Sequence, residues 1–282
     1  MLLLVAVALA APLPPYAYSH PTAASEDDLT SYTFPKWPVR TTVYAASGEV
    51  AVYDAVGGKS LGLIPFGQAL RVEEVGASAT VADKVDAWYR VSGPKNGWVH
   101  GGDLTPYRWE VDLDGDGEKE VATATWLGDF TVRVRVFEPS VSAGGVMQLD
   151  VDAAGGGYLS QNGAELQAEI VPYSTAGIAM IHLHLGVEAC ADFRDDWISY
   201  TSEGAGRIGT EHVALSLAGL SDPPNSSTFE VAFSGKRKTA YVTRTTAKGD
   251  ASAKPTNDVA TTRYVLRDGL YLVEKDGEVQ RE

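Results

Sequence analysis

The sequence predicts an all-β protein, made of a small barrel followed by a larger and mostly antiparallel β-domain. Two observations predict this class. From about residue 43 onward, short apolar segments alternate with turns that contain glycine, which is the spacing of a small barrel or sandwich. After residue 108, no stretch keeps a 3.6-residue apolar period over the length of a helix. Four pairs of strand-like segments instead follow one another as hairpins, the last across the turn Asp268-Gly269.

The composition limits the possible partners. The chain has 282 residues, with 37 acidic and 23 basic side chains and a net charge of −14. Such a charge repels nucleic acid, so we expect no nucleic-acid partner, whereas calcium and cationic partners suit its sign. The single cysteine, Cys190, excludes a disulfide within this chain and a cysteine-rich zinc site.

The N-terminal residues are typical of export. Residues 1–11 form an apolar run that ends in the small-residue triplet Ala8-Leu9-Ala10, which predicts a signal peptide. The run is too short to span a bilayer, which takes about 20 apolar residues. The alternative to a signal peptide is a buried apolar strand. Residues 12–40 are rich in proline and alanine, so we expect a linker outside the fold. The expected location is periplasmic, extracellular or at the cell surface.

Four segments between residues 41 and 107 occur in a recognisable order. They are LGLIPFG, LRV, WYRV and NGWVH, and Leu104 follows them. This order and spacing resemble the bacterial SH3-like domain. The resemblance implies a barrel over residues 41–107 that binds cell-wall or protein ligands and carries no chemistry of its own.

Aromatic side chains of the barrel are the candidate ligand contacts. Aromatic rings bury large areas and stack on sugars or prolines. The candidates are Tyr53, Trp88, Tyr89 and Trp98. Trp98 directly follows a glycine and is more typical of a core residue than of a ligand contact, so Tyr53 and Tyr89 are the favoured groove residues.

An acidic loop follows the barrel directly. From Asp112, carboxylates stand at relative positions 1, 3, 5 and 9, with glycine at position 6. A loop that wraps a hard divalent cation needs this pattern, because the glycine permits a sharp turn and a main-chain carbonyl follows it. Position 12 is Thr123 rather than a glutamate, so the loop is not an EF-hand.

The loop runs straight into a strand and resembles the calcium loops of FG-GAP and VCBS-type repeats. That resemblance implies a Ca²⁺ site in the acidic β-domain of residues 108–282. The implied ligands are the carboxylates of Asp112, Asp114, Asp116 and Glu120 and the main-chain carbonyl of Glu118. The alternative is a solvated acidic turn without an ion. The loop occurs once, which disfavours a propeller built from such repeats.

Other groups suggest chemistry less strongly. His182 and His184 lie on one face of a predicted strand, where they could hold a metal with a third ligand or simply form its polar face. The possible third ligands are Glu188, Asp192 and His212. Cys190 could act as a nucleophile beside His184 or His212, or be a small buried side chain. A glycosidase-like carboxylate pair could come from Glu188, Asp192, Asp195 and Asp196.

The sequence contains none of the short catalytic motifs of nucleotide-binding enzymes, serine hydrolases or zinc proteases. We therefore expect a non-catalytic, exported envelope protein with an SH3-like module and a calcium-binding β-domain. The alternative is a cell-wall hydrolase in which the barrel only targets a catalytic β-domain. Convergence of His182, His184 and an acidic partner in one pocket would favour that alternative.

Overall fold

The structure is a computed structural model that describes residues 16–18, 37–82, 84–126, 131–139, 146–152, 164–187, 192–202, 209–222, 224–249, 256–275 and 278–280. Residues 1–11, which we expect to be a signal peptide, lie outside the described residues. Glu188 and Cys190 also lie outside them. The described residues lie mostly in antiparallel strands, which confirms the all-β class. Among them, no helix is long and apolar enough to cross a membrane.

The described residues form 21 strands, one short helix and two 3-10 turns. In chain order the elements are β1 (Tyr16–Tyr18), β2 (Thr42–Ala45), β3 (Glu49–Tyr53), β4 (Ser60–Pro65), β5 (Ala69–Val81), β6 (Lys84–Ser92), β7 (Gly97–His100), the 3-10 turn Gly101–Asp103, β8 (Leu104–Thr105), β9 (Arg108–Val111), β10 (Glu120–Trp126), β11 (Thr131–Phe137), β12 (Val146–Asp152), β13 (Ala164–Val171), α1 (Tyr173–Ala176), β14 (Met180–Val187), β15 (Asp192–Thr201), β16 (Thr210–Asp222), β17 (Asn225–Ser234), the 3-10 turn Gly235–Arg237, β18 (Thr239–Lys248), β19 (Thr256–Arg267), β20 (Leu270–Lys275) and β21 (Glu278–Gln280).

The strands form three sheets. The first sheet has seven strands in the order β4-β3-β7-β6-β5-β2-β8. The second has four strands in the order β12-β11-β10-β9. The third has ten strands, in which β1 lies beside β13 and the remaining strands follow one another from β13 to β21. Such a meander needs only short connections between antiparallel neighbours.

The four predicted hairpins are confirmed. The paired strands are β10 with β11, β14 with β15, β17 with β18 and β19 with β20. The last pair turns at Asp268 and Gly269, whose φ angles are 48° and 80°. Two consecutive positive φ angles define the tight turn whose twist matches that of the flanking strands, which is why Asp-Gly suits this position.

One hydrophobic core joins all three sheets. It contains Val43 and Val99 of the first sheet, Val134 of the second, and Leu183 and Ile198 of the third, each at most 2% exposed. Strand alternation explains this, because every second residue of β11 and β14 is apolar and faces the core. The short connection at residues 105–109 therefore joins parts that share a packed interface.

Polar contacts cross the same interface. The hydroxyl of Tyr107 donates to the carbonyl of Leu166 at 2.9 Å. The guanidinium of Arg135 donates to the carbonyl of Ala46 at 2.6 Å. These bonds satisfy backbone carbonyls that burial would otherwise leave without partners, so they fix how the first sheet meets the other two.

Two parts of the expected linker, residues 12–40, belong to the fold. Tyr16 to Tyr18 pair with β13 through the register Tyr16↔Leu166. Trp37 is only 5% exposed, and its ring lies 5.0 Å from that of Tyr89 in the core. A proline-rich composition predicts extended backbone, but an extended chain can still add a strand or bury a large ring.

A second core lies on the opposite face of β14–β16, against β17–β20. Met180 and Trp197 contribute from one side, and Val242 and Tyr271 from the other. Strand β14 therefore separates two cores. His182 and His184 lie on the same face of β14 as Met180, where they line a cleft together with Tyr44 and Trp109.

Candidate functional site

The acidic loop is the connection of the β9–β10 hairpin. Val111 pairs with Glu120, so residues 112–119 form the loop itself. Oxygens of Asp112, Asp114 and Asp116 all lie within 4.8 Å of one another. The structure thus brings together the first three expected carboxylates.

The same carboxylates accept hydrogen bonds from the loop backbone. Asp112 accepts from the amides of Gly115 at 2.6 Å and Gly117 at 3.1 Å. Asp114 accepts from Asp116 N at 3.1 Å, and Asp116 accepts from Glu118 N at 2.7 Å. Amides that point toward the carboxylates offset part of their mutual repulsion and hold the loop closed.

Both glycines of the loop have left-handed backbone, with φ angles of 85° at Gly115 and 95° at Gly117. A Cβ atom added at either position would meet nothing within 4 Å, so space is not what requires glycine here. The requirement is conformational, because residues with a side chain pay about 1 kcal/mol or more in this region.

Leu113 and Glu120 anchor the loop to the protein interior. Leu113 is 1% exposed and belongs to the first core, and its amide donates to Glu120 Oε2 at 2.5 Å. Glu120 is fully buried. Burial raises the pKa of Glu120 to about 7, the Leu113 amide opposes this, and the carboxylates of Asp114 and Glu138 add to it.

Two buried carboxylate oxygens of this region have no hydrogen-bond partner among the described residues. They are Asp114 Oδ2 and Glu120 Oε1. A buried polar oxygen without a partner costs free energy, so each such atom calls for an explanation. Calcium takes six to eight oxygen ligands in flexible geometry, and a set of carboxylates with unsatisfied oxygens fits that demand.

The other two expected ligands lie differently. The side chain of Glu118 is exposed, in keeping with an expected role through its main-chain carbonyl alone. Glu120 is outside the set of oxygens that lie within 4.8 Å of one another, and one of its own oxygens accepts a hydrogen bond from the Leu113 amide. Sequence reasoning missed Glu138, which is 1% exposed near the same carboxylates. No sequence signal marks it, because its position depends on strand register.

The expected ligand aromatics of the first sheet divide into two pairs. Tyr89 is fully buried and Trp88 is 5% exposed, so the expectation that these two line an open groove is not met. Tyr89 faces the core with Val91 and Val99, while Trp88 on the opposite face is covered by ring contacts to Tyr53 and His100. Tyr53 and Trp98 pair across β3 and β7 and are partly exposed, so the accessible aromatics are these two.

A second cluster forms around Asp195 on β14 and β15. His182 Nε2 lies 2.6 Å from Asp195 Oδ1, and His184 Nδ1 lies 3.1 Å from the same oxygen. The other nitrogen of His182, Nδ1, lies 3.3 Å from Glu169 Oε1. The ring of His182 stacks on Trp197 with centroids 4.5 Å apart. Both histidines and acidic partners therefore converge.

Burial raises the pKa of Asp195, but the hydrogen bonds from His182 and His184 outweigh this and lower it below its ordinary value. Asp195 thus lies beside both imidazoles as a carboxylate. Its neighbour Asp196 points to the opposite face of β15 and binds Arg194 Nε at 3.0 Å. The two aspartates therefore do not form a catalytic carboxylate pair.

The histidines line a cleft of about 470 Å³ between β13 and β14 on one side and residues of the first and second sheets on the other. Tyr44 of β2 and Trp109 of β9 form part of that second wall, and Trp109 stacks on Tyr107 at 5.8 Å. His212 is elsewhere, with its Nε2 at 3.2 Å from Thr201 Oγ1, and it does not join the cluster. Aromatic rings beside ionisable groups are the usual lining of ligand clefts.

Comparisons with protein-family models, with curated proteins and with solved structures each found no match.

Proposed function

We propose that the chain is a non-catalytic, exported protein of the bacterial envelope whose acidic loop binds Ca²⁺ and whose SH3-like barrel binds a cell-wall or protein ligand. The observation that carries the calcium part is the convergence of Asp112, Asp114 and Asp116, with one buried oxygen each of Asp114 and Glu120 that finds no hydrogen-bond partner in the described part of the chain. Oxygen atoms of this number and charge match a hard divalent cation better than they match a proton or a solvated turn.

A cation at this loop would act on the fold rather than on a substrate. Leu113 lies in the first core, so the loop is fixed on that side by packing. On the other side its closely spaced carboxylates repel one another. An ion would relieve that repulsion and hold the β9–β10 hairpin closed.

The ligand part of the proposal rests on the resemblance and on exposure. Tyr53 and Trp98 are partly exposed on neighbouring strands and offer stacking surfaces. A pull-down on purified peptidoglycan, with and without calcium, tests it. Binding that falls when both residues are replaced by alanine supports the proposal, and unchanged binding by the double variant contradicts this choice of surface.

Thermal unfolding tests the calcium part. Calcium at a hundredfold excess over Kd adds about 2.7 kcal/mol to the stability of the folded chain, so Tm rises relative to EDTA. Asp114→Ala removes that rise and is neutral or slightly stabilising in EDTA, because one repelling carboxylate is gone. Asp258→Ala, which removes an exposed carboxylate on β19, keeps the full rise. A wild-type Tm that is identical in EDTA and in millimolar calcium refutes calcium binding.

The cluster at Asp195 favours a second candidate function, a cell-wall hydrolase. Asp195 accepts from His182 and His184 at the wall of a cleft, and a carboxylate that orients an imidazole is a recurring part of general acid–base sites. Release of soluble fragments from purified peptidoglycan tests it. A rate that Asp195→Asn lowers at least about a hundredfold supports the hydrolase, and no release by the wild-type protein rejects it.

A further inference from the structure

We infer that Glu138 is a further ligand of the cation, so that the ion is held between the acidic loop and the buried end of β11 rather than by the loop alone. This inference rests on the calcium binding proposed above. It concerns a residue outside the loop motif, which joins a second strand and the main core to the ion.

The first step is the strand register. Strands β10 and β11 are antiparallel with Val121 opposite Phe137. If that register is continued by one residue, to Glu120 before Val121 and Glu138 after Phe137, the two side chains fall on the same face of the sheet. The Glu138 carboxylate is close enough to contribute to the raised pKa of Glu120. Glu120 and Glu138 are 0% and 1% exposed. Two carboxylates thus lie close together inside the protein.

Two buried carboxylates close together destabilise the folded protein. Like charges directly opposite on neighbouring strands destabilise a sheet, and a buried carboxylate without a cation or hydrogen bonds is costlier still. Glu120 has one oxygen on the Leu113 amide, and its second oxygen has no hydrogen-bond partner among the described residues. The nearby oxygen Asp114 Oδ2 is buried in the same condition. A shared positive charge satisfies all of these oxygens together.

Glu138 is in contact with Tyr200 of the third sheet. The hydroxyl of Tyr200 donates to Glu138 Oε2 at the long distance of 3.4 Å, and it accepts from Gly209 N at 2.6 Å. Tyr200 belongs to β15 and is 1% exposed. It therefore holds Glu138 from the third sheet. Burial is the largest cause that raises the pKa of Tyr200, and the carboxylates of Glu138, Glu120 and Asp114 all lie near enough to raise it further. A cation there would connect all of these elements through Glu138.

Calcium titration calorimetry on the full chain, stripped of metal, tests the inference. Glu138→Gln keeps the size of the side chain and removes its charge, and we expect it to raise the Kd for calcium at least about tenfold. The matched control is Glu110→Gln on β9, whose carboxylate is largely exposed beside Arg108. It removes the same charge close to the loop, and its Kd should stay within about threefold of the wild type, since exposed charges are screened.

The calcium Kd values of the wild type and the two variants distinguish the inference from the proposed function. A wild-type Kd that Glu138→Gln leaves unchanged overturns the inference and leaves the proposed calcium loop intact. Absence of calcium binding by the wild-type protein overturns the proposed function, and the role of Glu138 falls with it. An equal loss in both variants would show a general charge effect and also reject a ligand role for Glu138.

A folding control keeps the result clear. Urea midpoints in EDTA show whether Glu138→Gln folds. Should that variant not fold, Glu138→Asp decides instead. It keeps the charge but withdraws the oxygens by one methylene, so a ligand role still predicts weaker binding, and an unchanged Kd rejects it.

Discussion

Replacement of Glu211 by glutamine should make the protein more stable at alkaline pH and leave it unchanged at acidic pH. Glu211 is 7% exposed on β16, and its Oε1 has no hydrogen-bond partner among the described residues. Burial raises the pKa of Glu211 from its ordinary value near 4.5 to about 7, opposed by its own backbone amide. The folded protein therefore binds this proton more tightly than the unfolded chain does.

The sign and size of the effect follow from that difference. Protonated Glu211 contributes its full stability below pH 4.5, and the contribution is lost as the pH rises through about 7. Each pH unit of the gap is worth about 1.4 kcal/mol, so the full loss is about 3 kcal/mol. Glutamine stays neutral throughout and avoids the loss.

Urea unfolding in EDTA at pH 4.5, 6 and 8.5 measures this effect without interference from calcium. We expect equal free energies of unfolding at pH 4.5 and a growing advantage for Glu211→Gln that reaches about 3 kcal/mol at pH 8.5. Glu230→Gln, an exposed change on β17, should show no such trend. An advantage that is the same at all three pH values would refute the reasoning, because it would have a cause other than ionisation.

Three other substitutions probe separate parts of the fold. Trp37→Ala should cost about 3–5 kcal/mol in urea unfolding, because a buried ring that packs on Tyr89 leaves a cavity; an unchanged midpoint would place Trp37 outside the core in solution. Gly269→Ala should cost about 1–2 kcal/mol and lower Tm, since its φ is 80° and a Cβ would lie 2.9 Å from Thr201 Cγ2; an equal Tm would contradict this turn. Asp195→Asn should destabilise at pH 7 by about 1–3 kcal/mol, and the gap should close below pH 4, because a lowered pKa stabilises only above the unfolded value.

Local sequence patterns predict the strands and hairpins well because the information is short-range. Alternation in TVRVRVF fixes which side chains of β11 face the core, and Asp-Gly fixes the turn before β20. The acidic loop is predicted for the same reason, since its three aspartates and two glycines lie within a few residues. Their convergence needs only the local turn.

Strand patterns do not say which face of a strand is covered. Trp88 and Tyr89 are neighbours on β6, so alternation puts them on opposite faces without saying which face is buried. Both are buried in the structure, Tyr89 by the core and Trp88 by ring contacts with Tyr53 and His100. Trp98, for which the preceding glycine favours a core position, is instead partly exposed.

Contacts between distant segments were beyond sequence reasoning as well. Trp37 lies in a proline-rich stretch, and only the position of Tyr89 shows where its ring packs. Glu138 follows β11 as an ordinary acidic residue, and only the folded structure shows that its carboxylate lies near Glu120. Such juxtapositions depend on register across the sheet, which no local pattern states.

The continuous core also changes how the first sheet should be regarded. Its sequence resembles that of a small binding module that occurs in different proteins. A module of that kind has to be stable with its whole surface in contact with water. Here Val43 and Val99 belong to the same buried cluster as Val134 and Leu183 of the other two sheets. The bonds from Tyr107 and Arg135 cross the same boundary. Separation would expose apolar area at a cost of about 25 cal/mol per Å² and leave those carbonyls to water, so the sheets are stabilised together. The aromatic pair Tyr53 and Trp98 is therefore carried by the whole protein, and any cation that tightens the β9–β10 hairpin acts on the same core.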